Sequence, residues 1–192
     1  MLDFNLTLQT NTILLRPLVL EDLKSFKALT TDKSMWIYFT SDLSNSPELQ
    51  TWVETAVNEH QKKIRLPFTV IDKVSDQIVG ATSFLNISFK DKRVEIGATW
   101  IAKDYQGKGV NDQIKFLMLE YCFDVLAFER VEFKTDVLNV PARKALLRIG
   151  ASEEGILRSH TLMTNNRRRD TIYYSILKSE WVEVKKQKQK ER

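Results

Sequence analysis

The segment of this chain best suited to chemistry is Gln106-Gly107-Lys108-Gly109-Val110-Asn111, which follows an apolar stretch and leads into a helical pattern. A strand, a glycine-containing loop and a helix N-terminus aim several backbone N–H groups in one direction. Such a cradle holds phosphate oxygens without many cationic side chains. Gly107 and Gly109 let the backbone come close to an anion, and Lys108 adds charge. The spacing is not that of a nucleoside-triphosphate loop, because no Gly-Lys-Ser/Thr follows. The dinucleotide fingerprint lacks its third glycine, with Asp112 in that place. From its residues alone the loop serves equally as a phosphate site or as a tight turn opening a helix. Nucleophilic and metal chemistry have little to work with. Cys122, the sole cysteine, supplies one metal ligand at most, and it and His60 fall on apolar helical stripes where both residue types pack. His160 falls near a strand end. Asn139, two residues before Pro141, suits an Asx turn.

Periodicity shows which elements must position the loop. Residues 12–18 form a short apolar stretch closing on Pro17, an edge-strand pattern, and a helix begins at Glu21 and Asp22 with Leu23, Phe26 and Leu29 as its inner stripe. Ser46-Pro47-Glu48 is a helix start, with the Ser46 hydroxyl as cap. Leu49, Trp52, Val53, Ala56, Val57, His60 and Ile64 follow as an apolar face. From Pro67 the period becomes that of β-structure: strands at 67–71, 78–89 and 93–101, separated by polar turns, predict a three-strand antiparallel meander. Ile114, Leu117, Met118, Tyr121, Cys122 and Val125 predict a core helix over 111–126. A strand at 130–135, a helix at 141–149 stopping at Gly150, and strands around 153–162 and 170–178 complete the order. Clustered antiparallel strands with helices early and late predict an α+β fold: one mixed, mostly antiparallel sheet of about seven strands with helices on both faces.

Bulk properties fit one domain of this kind. The chain has 43% apolar and 28% charged residues, enough for a core, and a lone cysteine suits a reducing compartment. No run is long and apolar enough for a membrane helix, and the N-terminus lacks the pattern of a signal peptide, so a cytoplasmic protein is expected. Residues 185–192 hold five basic groups and one acid, which accounts for the whole formal charge of +4. A domain over 1–184 and a solvated basic tail over 185–192 are therefore expected, and nucleic acid is not an expected partner.

The loop, in register with several other segments, resembles the acetyl-CoA pyrophosphate loop of the GNAT superfamily of N-acetyltransferases. The opening Thr-Ile-Leu-Leu-Arg-Pro-Leu, the run from 130 to 150 with Asn139 in its middle, Glu154-Gly155-Ile156-Leu157-Arg158, and Arg169-Asp170-Thr171-Ile172-Tyr173-Tyr174-Ser175-Ile176-Leu177 resemble the ribosomal-protein (RimJ/RimL-like) branch. The resemblance covers nearly the whole chain. It implies acetyl-CoA as cosubstrate, no metal, and direct transfer of acetyl to a primary amine, on a protein N-terminus or a small molecule, by a monomer or homodimer. It places Gln106, Gly107, Lys108, Gly109, Val110 and Asn111 at the pyrophosphate, Trp100 and Ile101 along the pantetheine arm, and Asn139 near the thioester. Asn111 departs from the family's glycine or alanine.

An amine is mostly protonated at neutral pH, so a general base helps. The resemblance assigns that role to Glu95, eleven residues before Gln106. Simple alternation puts Arg93, Glu95, Gly97, Thr99 and Ile101 on one sheet face, and the structural alternative for Glu95 is an ion pair, with Arg93 the candidate partner. The family's leaving-group hydroxyls are missing: Leu146 and Ala142 stand where a Tyr and a Ser are usual. Tyr105, Tyr173 and Tyr174 are candidate substitutes without an assigned place, and water can also protonate a CoA thiolate. The alternative reading is a CoA-binding protein with little or no transferase activity. Met35-Trp36-Ile37-Tyr38-Phe39 is either a lid over the core or the border of the acceptor entrance. Arg167-Arg168-Arg169 is either a solvated turn or a guide for acidic partners.

Overall fold

The computed structural model describes residues 2–190. Its centre is an eight-stranded sheet in the order β1-β2-β3-β4-β5-β6-β8-β7, comprising β1 (Leu8–Gln9), β2 (Ile13–Pro17), β3 (Leu66–Asp72), β4 (Gln77–Ser88), β5 (Arg93–Ile101), β6 (Arg130–Asp136), β7 (Ser152–Leu162) and β8 (Arg168–Leu177). The eighth strand relative to the expected seven is β1, two residues paired to β2 and too short to carry a pattern. Every pairing is antiparallel except β5 with β6, the two strands joined through α3 (Val110–Glu120). A parallel neighbour needs a crossover connection, which explains why this helix follows the meander.

The helices divide between the two faces. On one, α1 (Leu23–Leu29) and α2 (Ser46–Gln61) bury Phe26, Leu49, Val53 and Ala56 against Ala81 and Trp100 of the sheet. The cap of α2 is Asn45, whose side chain accepts from the Glu48 N–H, so Ser46 is the first helical residue and not the cap. The helix stops before Ile64, which is exposed. On the other face, α3 and α5 (Lys178–Lys190) cover Phe84, Ile96, Phe133, Ile172 and Ile176, with α4 (Val140–Arg148) alongside. The helix expected over 111–126 is α-helical only to Glu120. Tyr121–Val125 forms a π turn, with the Leu126 N–H donating to the Tyr121 carbonyl, and this wider turn keeps Cys122 and Phe123 buried while turning Val125 out to solvent.

From the boundary expected at 184 the basic segment continues α5, which runs onward to Lys190. Trp181 stacks near Phe123 with centroids 5.4 Å apart and donates from Nε1 to Asp124. Lys185 Nζ lies 2.7 Å from both Glu120 and Asp124. Carboxylates on the preceding helical segment thus anchor the first of the lysines that composition alone places in solvent. Residues 191 and 192 of the expected tail lie outside the described residues.

Candidate active site

The cleft exists because β5 and β6 part company. Their parallel ladder holds only Arg93 with Arg130, Val94 with Val131 and Glu95 with Glu132. Beyond these, Ile96 to Ile101 and Phe133 to Asp136 have no ladder to each other, and a cleft of about 870 Å³ opens between the strands. It runs from the loop at 106–112, past 96–101 and 133–135, to the start of α4 and the aromatic side chains Tyr38 and Phe39.

A bulge in β5 decides what faces each side. Ala81 pairs with Trp100 and Ser83 with Gly97, so Thr82 alone opposes both Ala98 and Thr99, and Ala98 takes a left-handed φ of 48°. One extra residue reverses the alternation. Simple alternation therefore fails after Gly97. Glu95 belongs to the α1/α2 side, whereas Thr99 bonds Thr82 and Lys115, and Ile101 joins the core under α3. Trp100 packs its ring against Phe26 and Trp36 on the α1/α2 side.

Glu95 is 3% exposed. Its Oε2 accepts from Asn86 Nδ2 at 2.7 Å and pairs with Lys134 Nζ at 3.0 Å. The ion-pair partner is thus Lys134 of the diverging strand and not Arg93, which engages Asp91 and Glu132. A Cβ at Gly97 would lie 3.0 Å from Glu95 Oε1, so the glycine gives that oxygen room beside the cleft. A buried carboxylate beside a lysine, with one oxygen left without a protein donor, can accept a proton from a group in the cleft.

The glycine loop leaves backbone donors open at the start of α3. Gly107 and Gly109 hold φ of 73° and 78°, values that disfavour a side chain. Gly109 opens α3 without a side-chain cap, so the first N–H groups of the helix stay free for a ligand. Gln106 Nε2 donates to the Ile101 carbonyl at 2.8 Å, tying the loop to the strand. Asp112, the acid in the first turn, is held by Arg148 of α4 at 2.8 Å. Asn111 lines the cleft and its side chain makes no hydrogen bond. Asn139 caps α4 through Oδ1, which accepts from the Ala142 N–H at 3.2 Å, and it lines the cleft as well, so the turn and the ligand-facing position are compatible.

Leu146 and Ala142 both line the cleft, and neither brings a hydroxyl. Tyr174 is fully buried between Arg143 and Glu153, and neither it nor Tyr173 lines the cleft. Tyr105 does, at the loop end. The side chain that sequence reading missed is Lys115. It is 5% exposed, its Nζ donates to Thr99 at 2.6 Å and lies over the Phe133 ring, and among the described residues no carboxylate lies within ion-pair distance. Burial lowers its pKa to about 7, against the opposing pull of Glu95. Only its place in a helical pattern was visible beforehand, and a lysine inside an apolar run (Ile114-Lys115-Phe116) was the available signal.

The remaining candidates divide. Trp36 is core, donating to the Thr30 carbonyl, while Met35, Tyr38 and Phe39 line the cleft, so the aromatic segment is both lid and border. Arg167 bonds Asp136 and Arg168 bonds Ser159, so these are held in place and not simply solvated. Arg169 is buried and lines the cleft. Among the described residues no cluster of metal-ligating side chains occurs, and no helix is long and apolar enough to cross a membrane.

Comparison with known proteins agrees with this arrangement. Residues 12–152 match the family described as "Acetyltransferase (GNAT) domain". The chain is 31% identical over 148 residues to the "Putative ribosomal N-acetyltransferase YdaF" of Bacillus subtilis (strain 168), covering 76% of this chain and 78% of that protein. It is 27% identical to the "Uncharacterized N-acetyltransferase p20" of Bacillus licheniformis over 91% of this chain and 98% of that one. A crystal structure of a GCN5-related N-acetyltransferase from Brucella melitensis superposes with a TM-score of 0.86 at 26% identity, covering 95% of this chain and 83% of that chain. A splayed parallel strand pair, an uncapped glycine loop at one end of the cleft and a family match over most of the chain lead to one conclusion: the protein belongs to the GNAT family of acetyltransferases.

Proposed function

We propose that this protein transfers the acetyl group of acetyl-CoA to a primary amine by direct attack within a ternary complex, with Glu95 as general base. The observation that carries this reading is one continuous cleft with the glycine loop at one end and a buried carboxylate at the strand divergence. Bound acetyl-CoA supplies an activated thioester carbonyl. The free N–H groups of 107–111 hold its diphosphate, and the β6-facing edge of β5 around Trp100 and Ile101, which has no strand partner there, holds its amide arm. Glu95 takes the proton that the amine nitrogen loses as its bond to carbon forms, directly or through water. Lys115, on the opposite face of the sheet, stands where a departing thiolate meets a positive charge and a proton. This supplies what Leu146 and Ala142 lack, and Lys115 is reprotonated from solvent. The acceptor is a protein N-terminus or a small-molecule amine; the Bacillus subtilis relative is named a ribosomal N-acetyltransferase.

The absence of a hydroxyl at Ala142 and Leu146 favours a second reading, a CoA-binding protein with little transfer. Steady-state thiol release with an amine panel separates the two. Turnover that falls about 100-fold or more in kcat for Glu95→Gln, with acetyl-CoA binding kept, is the expected result. Binding without turnover in the unaltered protein overturns the transferase reading.

A further inference from the structure

Arg169 is the unexplained charge of the cleft. In β8 the side chains of Ile172, Tyr174 and Ile176 enter the core under α3 and α5. Arg169, Thr171, Tyr173 and Ser175 therefore face the other way. Thr171 pairs with Asp136, Tyr173 with Lys134 and Ser175 with Glu132, while Glu132 pairs with Glu95, so Arg169 stands on the same sheet face as Glu95. It is 6% exposed and lines the cleft, its side chain makes no hydrogen bond or ion pair among the described residues, and its enclosed Nε has no partner. The carboxylates on this face are already engaged: Glu95 by Lys134 and Asn86, Glu132 by Arg130 and Arg93, and Asp136 by Arg167. Each acid has its cation, and one cation has no acid.

From this juxtaposition, and resting on the transferase reading above, we infer that the acceptor carries a carboxylate close to its amine and that Arg169 binds it. A buried charge without a counter-ion is strongly unfavourable, and such groups cluster where a ligand completes the pair. A guanidinium presents a planar fork that matches a carboxylate with two parallel hydrogen bonds. Burial depresses the Arg169 pKa despite nearby Asp136, the direction expected of a cation short of partners. Arg169 and Glu95 line the same cleft from the same sheet face, so an acceptor lying between them can offer its amine to Glu95 and a carboxylate to Arg169. The cofactor's phosphates belong to the loop at the other end of the cleft. The carboxylate is either the α-carboxylate of a free amino acid or the side chain of an acidic residue next to a peptide N-terminus.

The test pairs acceptors that differ only in that charge: alanine against alaninamide, and Ala-Asp-amide against Ala-Asn-amide. The unaltered protein is expected to favour the carboxylate member of at least one pair by about 10-fold or more in kcat/KM, the scale of one charge-assisted pair. That ratio should collapse towards one in Arg169→Ala and be partly restored in Arg169→Lys. Preference in the first pair identifies a free amino acid, and preference in the second an acidic peptide. Calorimetric titration of CoA-loaded protein with N-acetylalanine and N-acetylalaninamide reads the same site without turnover. Tighter, Arg169-dependent binding of the carboxylate supports the inference even if transfer fails. Equal use and equal binding of charged and neutral members overturn it, and the transferase reading then stands on turnover alone. A thermal shift with acetyl-CoA in each variant shows that it is folded.

Discussion

Lys115 holds a positive charge in a place that opposes it. Among the described residues its only hydrogen-bond partner is the Thr99 hydroxyl, and burial brings its pKa to about 7. In the unfolded chain that pKa returns to about 10.4. Between these values the unfolded state binds more protons, so the Lys115 contribution makes the protein more stable as pH rises from about 7 to about 10, and the penalty is complete below 7. Lys115→Met, similar in volume, is therefore expected to stabilise the fold by roughly 4 kcal/mol at pH 6, the gain fading by pH 10. Urea midpoints at three pH values measure this. The same substitution is expected to lower kcat about 10-fold or more by removing charge from the leaving-group side. A variant that is more stable and equally active would show that Lys115 plays no part in transfer.

At the scale of elements, the site depends on departures from regular structure. The bulge at Ala98 splits β5 so that Glu95 and Thr99 face opposite sides of the sheet, and the short β5–β6 ladder opens the gap through which the two sides meet. The junction of α4 with α5 is equally specific. Gly150 ends α4 at φ 91°, and a Cβ there would fall 2.8 Å from a methyl carbon of Val184. Gly150→Ala combines left-handed strain with that collision and is expected to cost about 2 kcal/mol, readable as a lower urea midpoint with unchanged slope. Because Val184 belongs to α5, hydrogen exchange should rise first in α5, and protection unchanged there would contradict the contact.

For the whole molecule, binding is the simplest readout. Acetyl-CoA at about 100 times its dissociation constant is expected to add about 2.7 kcal/mol, and a domain of this size then gains roughly 5–10 °C in Tm. Free CoA should act similarly and ATP should not. No shift with millimolar acetyl-CoA would mean that Asn111 obstructs the loop or that the loop is only a turn.

Local pattern was enough to determine most of the architecture. Apolar period located α1, α2, the meander and β6 to β8, and the glycines at 107 and 109 marked the turn into α3, because strands, helices and glycine turns are governed by neighbours in sequence. Glu95 and Asn139, singled out by motif position, line one cleft with the glycine loop. The α5 helix was not legible: its burial rests on Trp181 and Val184 within a strongly charged run, and its lysine is anchored by carboxylates about sixty residues away. The facing of Thr99 and Ile101 needed the bulge, which is a property of the pairing with Thr82. That Lys134 and not Arg93 joins Glu95, that Lys115 stands buried in the cleft, and that Arg169 faces it without an acid are decided only by tertiary structure, because burial and charge pairing depend on distance in space.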